Sequence, residues 1–119
     1  MSKKAQKIRR ERLEMLNQGI TTEAEKIFDW ILNLIDEDTK KKYFGSVAVC
    51  LFEGQTILKT KSLNGTEYDL TEALLRYDKI KLFKSLKKVV ESEKGFKAIL
   101  KLNDTFYDSK AIIFEVFIV

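Results

Sequence analysis

The chain closes on "AIIFEVFIV" (111–119), a run with apolar side chains at both odd and even positions. Such a strand has no polar face to give to water, so it belongs inside a sheet with neighbours on both edges. "SVAVCLF" (46–52) has the same character. Two interior strands demand partners and cover, and the rest of the chain has to supply them. "QTILKTK" follows the turn signal Glu53-Gly54 and returns as an antiparallel partner. Asn64-Gly65 is a two-residue hairpin signal leading into a short strand at Thr66 to Tyr68. "FKAILKL" (96–102) follows Gly95 and is joined to the last strand by a polar loop, Asn103 to Ser109.

The cover comes from helices. Ala5, Ile8, Met15 and Leu16 share one face of a helix over about 4–18, with Leu13 at its margin, and Gly19 ends it as a C′ residue. Thr22-x-x-Glu25 is a capping box that opens a second helix over about 23–36. Its stripe is Ala24, Ile27, Phe28, Ile31, Leu34 and Ile35, flanked by Trp30 and Leu32. The charged connector Asp36 to Lys42 leads into the sheet. Asp69-x-x-Glu72 caps a further helical stretch whose apolar phase changes midway. Leu70, Ala73, Leu74, Tyr77 and Ile80 share one face, while Leu82, Phe83, Leu86, Val89 and Val90 take the opposite one. One straight helix cannot bury both, so two are expected, about 70–77 and 79–92, with Asp78 capping the second.

The element order is therefore ααββ(β)ααββ. It lacks the strand–helix alternation of a parallel doubly wound sheet. The fold class is α+β in one domain, with an antiparallel sheet of four or five strands and helices on at least one face. Residues 1–12 form a basic arm or the start of the first helix, and 13–119 the globular domain. Phe28, Ile31, Ile35, Val49, Leu51, Leu100, Phe114 and Val116 are expected to be buried together.

Charge is unevenly placed. "KKAQKIRRER" (3–12) carries Lys3, Lys4, Lys7, Arg9, Arg10 and Arg12 against Glu11, so the first 12 residues hold +5. The remaining 107 hold 16 basic and 17 acidic groups, close to neutral. The chain has 18 Lys but only 4 Arg, three of them within four positions. Abundant Lys with no His and no Pro suggests an AT-rich coding source such as a low-GC bacterium or its phage. Against that background the arginine cluster stands out, because a guanidinium offers a planar, permanently charged fork. The plainer reading is a solvated helix start. Lys81, Lys84 and Lys88 share the polar face of the 79–92 helix and extend a possible phosphate-tracking surface. "KKKYF" (40–44) sets a basic run beside aromatics.

Catalytic machinery is sparse. Without histidine the commonest general base and metal ligand are missing, and Cys50 alone can build neither a zinc site nor an internal disulfide. There is no Gly-rich phosphate loop or nucleophile elbow. Asp36 to Asp38 reads as a solvated connector, and Asn103, Asp104 and Asp108 as turn residues matching no calcium loop. Cys50 reads as a small core hydrophobe, and Trp30 as core edge before stacking platform. Glu115 is the one charge in the final strand, either an active carboxylate or a cross-strand partner of a lysine such as Lys101.

The expectation is a cytoplasmic, non-enzymatic binding or regulatory protein with no membrane span, cofactor or metal, of a kind found in phage or mobile elements. A carboxylate-only active site is the one enzymatic option left open. Its basic arm would contact nucleic acid, through Lys3, Lys4, Lys7, Arg9, Arg10 and Arg12 with Lys81, Lys84 and Lys88. The alternative is an inhibitor, adaptor or assembly component whose arm meets an acidic protein, or a homo-oligomer.

Overall fold

A computed structural model describes residues 2–40, 46–52, 57–60, 67–106 and 109–118. The Glu53-Gly54 and Asn64-Gly65 turns, residues 41–44 of the "KKKYF" run, and Asp108 lie outside the described residues. The chain is α+β. One long helix, α1 (Lys3–Lys40), precedes strands β1 (Ser46–Phe52), β2 (Ile57–Thr60) and β3 (Glu67–Asp69). Helices α2 (Thr71–Arg76) and α3 (Lys79–Ser92) follow, then strands β4 (Phe96–Phe106) and β5 (Ser109–Ile118).

The expected pair of N-terminal helices is a single helix of 38 residues. Gly19 does not terminate it. Among the described residues the positive-φ glycine is Gly95, and Gly19 keeps helical backbone. Its lack of a side chain serves a different purpose, since a Cβ there would overlap the Tyr77 hydroxyl oxygen. The capping box is likewise absent. The Thr22 hydroxyl donates to the Gln18 carbonyl at 3.0 Å, and Thr21 donates to the Asn17 carbonyl at 2.9 Å. Both threonines bond back along a helix that has already begun. The cap sits at Ser2, whose hydroxyl accepts from the Ala5 N–H at 3.1 Å. At the other end the helix runs into the charged connector as far as Lys40.

The strands pair antiparallel in the order β3-β2-β1-β5-β4. β5 lies between β1 and β4, as its two apolar faces require, with Val49 opposite Phe114 and Leu100 opposite Phe114 on the far side. The polar loop expected at Asn103 to Ser109 is largely strand, for β4 and β5 pair as far as Phe106 with Ser109. Backbone pairing does not require apolar side chains, and one extra β4 residue between Lys101 and Asp104 is absorbed as a bulge.

The helical layer meets the sheet on the face that carries Val49, Leu51, Ala98, Ile112, Phe114 and Val116. α1 contributes all six residues of its expected stripe to this core, and α3 contributes Leu82, Phe83, Leu86 and Val90. The Phe83 and Phe114 rings stand 6.2 Å apart between helix and sheet, and Phe28 meets Phe96 edge-on at 5.7 Å. Of the expected core, Leu100 alone is only partly buried, packed at the margin. Cys50, Ala111 and Ile113 form a smaller buried group on the other sheet face. The break between α2 and α3 falls where the apolar phase reverses, and the Asp78 carboxylate caps α3 by accepting from Lys81 N–H at 3.1 Å.

A straight helix of 38 residues spans about 57 Å at 1.5 Å per residue, and the molecule is 59 Å along its longest axis. Its radius of gyration is 16.1 Å, against about 13.5 Å for a compact chain of this length. α1 therefore sets the length of the molecule.

Candidate functional site

Gly19 touches Tyr77, just before α3, and Phe28 touches Phe96, just after it, so α1 and α3 run in the same sense. The chain N-terminal to Gly19 thus leaves the body at the end where α3 begins. Every residue from Ser2 to Gln18 is exposed. About 16 residues of helix, roughly 24 Å, stand clear of the body as an arm.

The arm holds six of the nine cations singled out above, all exposed, and none is in an ion pair among the described residues. They do not share one face. Lys3, Lys7 and Arg10 follow i, i+4, i+7 spacing along one side, whereas Lys4, Arg9 and Arg12 are spread around the rest. Lys81, Lys84 and Lys88 are exposed on α3 opposite its buried face. Lys81 is near the base of the arm and Lys88 lies about two turns further along the body. The nine cations are on two elements and form no single cluster.

Hydrophobic side chains also line the arm. Ile8 is 53% exposed, Leu13 54%, Met15 71% and Leu16 49%. Ile8, Met15 and Leu16 form the shared face expected of this helix, with Leu13 at its margin, and none of the described residues covers them. The signal against packing was present in the sequence, because Arg12 stands midway between Ile8 and Leu16 at i, i+4, i+8 spacing. An arginine in the middle of a stripe resists burial against an apolar sheet. Leu13 and Leu16 continue the line of Ile20, Ala24, Ile27, Ile31 and Leu34, so the core stripe of the body runs on into solvent.

An open groove of about 670 Å³ lies between α1 and α3. Phe28, Leu32, Val89 and Phe96 give it an apolar lining, with Glu25, Asp29 and Glu93 opposed by Lys88. A smaller pocket gathers Glu23, Lys26 and Asp69 beside Tyr68. Partial burial raises the Tyr68 phenol above its usual range, with Glu23 adding to the shift and Lys26 opposing it. The Trp30 ring lies 5.4 Å from that of Tyr68, which gives it a packing role at the core edge. Glu115 is half-buried, but Ile99 and Ala48 stand directly opposite it, and Lys101 faces Ile113. The lysine is a diagonal neighbour. Among the described residues no group of three His, Cys, Asp or Glu side chains could hold a metal ion, and no helix is long and apolar enough to cross a membrane. No protein family, curated protein or solved structure matches this chain.

Proposed function

We propose that this is a non-enzymatic binding protein that recognises another protein by laying its N-terminal helix into an apolar, acid-rimmed groove. The exposed face of Ile8, Met15 and Leu16, with Leu13 at its margin, carries this reading. Aliphatic surface gains about 25 cal/mol per Å² when removed from water, and Ile8, Met15 and Leu16, at i, i+7 and i+8 on one helix face, can serve as anchors for helix-in-groove docking. A phosphate backbone offers such side chains nothing. The flanking Arg9 and Arg12 match an acidic rim.

Nucleic acid is the second reading, favoured by three exposed arginines within four positions that make no ion pair among the described residues. The two partners engage different residues, which makes them separable. Met15→Asp with Leu16→Asp should abolish photo-cross-linking of a protein partner from position 8, while changing Arg9, Arg10 and Arg12 to Gln should only weaken capture at low salt and leave what remains less salt-dependent. On duplex DNA the order reverses. The Gln variant would flatten the salt dependence of binding by about 0.9 per lost phosphate contact, and the Asp variant would keep that slope per remaining cation. Capture indifferent to both Asp changes would remove the protein reading.

A further inference from the structure

One face of α1 changes sign along its length. Positions 3, 7, 10, 14, 18, 21, 25, 28 and 32 follow one another at three- and four-residue spacing and form a single stripe. In the arm this stripe presents Lys3, Lys7 and Arg10, with Glu14 at its inner end. In the body it presents Glu25, with Asp29 beside it, and forms the α1 wall of the groove that Glu93 rims from the far side. Glu25 and Asp29 are exposed and make no ion pair among the described residues, and Lys88 is the one cation lining that groove.

We infer that two copies of the chain associate through this stripe, with their α1 helices antiparallel and the arm of each lying along the groove of the other. Aligned so that paired positions sum to about 35, Arg10 meets Glu25, Lys7 lies beside Phe28 and Asp29, and Lys3 reaches Leu32. A two-fold axis near Gln18 makes every such pairing occur twice, as an isologous contact requires. A parallel arrangement would set the basic arms side by side and lose all of these contacts. The second copy suits the groove because Lys3, Lys7 and Arg10, read in reverse, repeat the spacing of Glu25, Phe28 and Leu32 on the same helix, which sets the arm's charge beside Glu25 and Asp29. The lysine and arginine stems also cover the apolar lining at Phe28 and Leu32. The contact uses the side of the arm turned away from Ile8, Met15 and Leu16. It is therefore independent of the protein-partner reading above and leaves that face open.

An interface carried by charge weakens as salt rises. Sedimentation velocity on the full chain should show a dimer at about 50 mM salt and a monomer at about 500 mM. Arg10→Glu alone and Glu25→Lys alone should each weaken the dimer about tenfold or more at low salt, and the double variant should recover to within about threefold of the parent. Circular dichroism would confirm that each variant is folded, and Arg10→Gln with Glu25→Gln provides a milder pair in case a reversal disturbs α1. Leu16→Asp should leave the dimer intact, which separates this association from loss of the protein-partner face. A monomer at low salt, a dimer insensitive to salt, or a double variant no better than either single one would overturn the inference.

Discussion

Between Ala24 and Ile35, α1 buries six apolar side chains, and between Lys3 and Gln18 the same helix buries none. The two stretches share backbone geometry and a line of apolar residues, so neither periodicity nor propensity separates them. Opposite the body stretch lie a sheet face and α3 at matching height, whereas none of the described residues packs against the arm. The residues around the boundary mark the change. Asn17, Gly19, Ile20, Thr21 and Thr22 are all weak helix formers, and they remain helical where Tyr77 packs against the backbone of Gly19. An apolar stripe thus shows where a helix can be covered, and tertiary geometry decides whether it is.

The contrast is sharpest for two residues on one line of the helix. Ile27→Ala removes a fully buried side chain and should cost about 2–5 kcal/mol in a chemical melt. Leu16→Ala should change stability by no more than about 0.5 kcal/mol. A large loss at Leu16 would mean that the arm packs in solution, and the division of α1 into two regimes would fail.

The boundary itself gives the next effect. Gly→Ala within an exposed helix normally gains about 1 kcal/mol. At Gly19 the added methyl would meet the Tyr77 ring and hydroxyl, so Gly19→Ala should instead cost about 1–3 kcal/mol by overpacking. On a Tyr77→Ala background the same change should become stabilising. If Gly19→Ala stabilises the parent, Tyr77 does not hold the base of the arm.

Capping residues should divide in the same way. Asp78→Ala strips the cap from a helix packed into the core and should lower global stability by about 1 kcal/mol. Ser2→Ala should leave the denaturant midpoint unmoved and speed amide exchange over the first turns of the arm. A shift in midpoint with Ser2→Ala would couple the arm to the fold.

The smallest effect is a titration in the body. Asp69 accepts from the Thr71 hydroxyl at 2.5 Å and from its backbone N–H at 2.8 Å, and these bonds hold its carboxyl below the usual value. A lowered folded-state pKa means stability that is present above the unfolded pKa and lost as pH falls through the folded one. Carbon-detected titration should show Asp69 protonating below an ordinary aspartate and moving up towards it in Thr71→Val. No movement would assign the shift to other neighbours.

The α+β class, the interior place of the last strand, and the phase break at Asp78 were legible because each follows from side chains no more than a few turns apart. Gly19 and Thr22-x-x-Glu25 misled for a physical reason. They are strong local signals for ending and starting a helix, but the structure satisfies both threonine hydroxyls along the helix and uses the glycine as room for Tyr77, 58 positions later. The Asn103 to Ser109 segment looked like a loop because its side chains are polar, while its strand pairing is made by the backbone. The basic residues of the candidate surface were plain from composition. The exposure of Ile8, Leu13, Met15 and Leu16 was not, because it depends on what the rest of the chain fails to cover.

Because α1 is continuous through Gly19, the arm never has to start a helix of its own. Closing the first turn of an isolated helix carries a nucleation factor near 10⁻³, a barrier of about 4 kcal/mol that the buried stretch from Ala24 onward has already overcome. Each arm residue need only extend an existing turn, one hydrogen bond at a time. A segment of this length cut from the chain would be mostly coil in water. Attached, it meets any partner as a preformed rod, so the disorder lost on contact is small and binding is limited chiefly by encounter and fit.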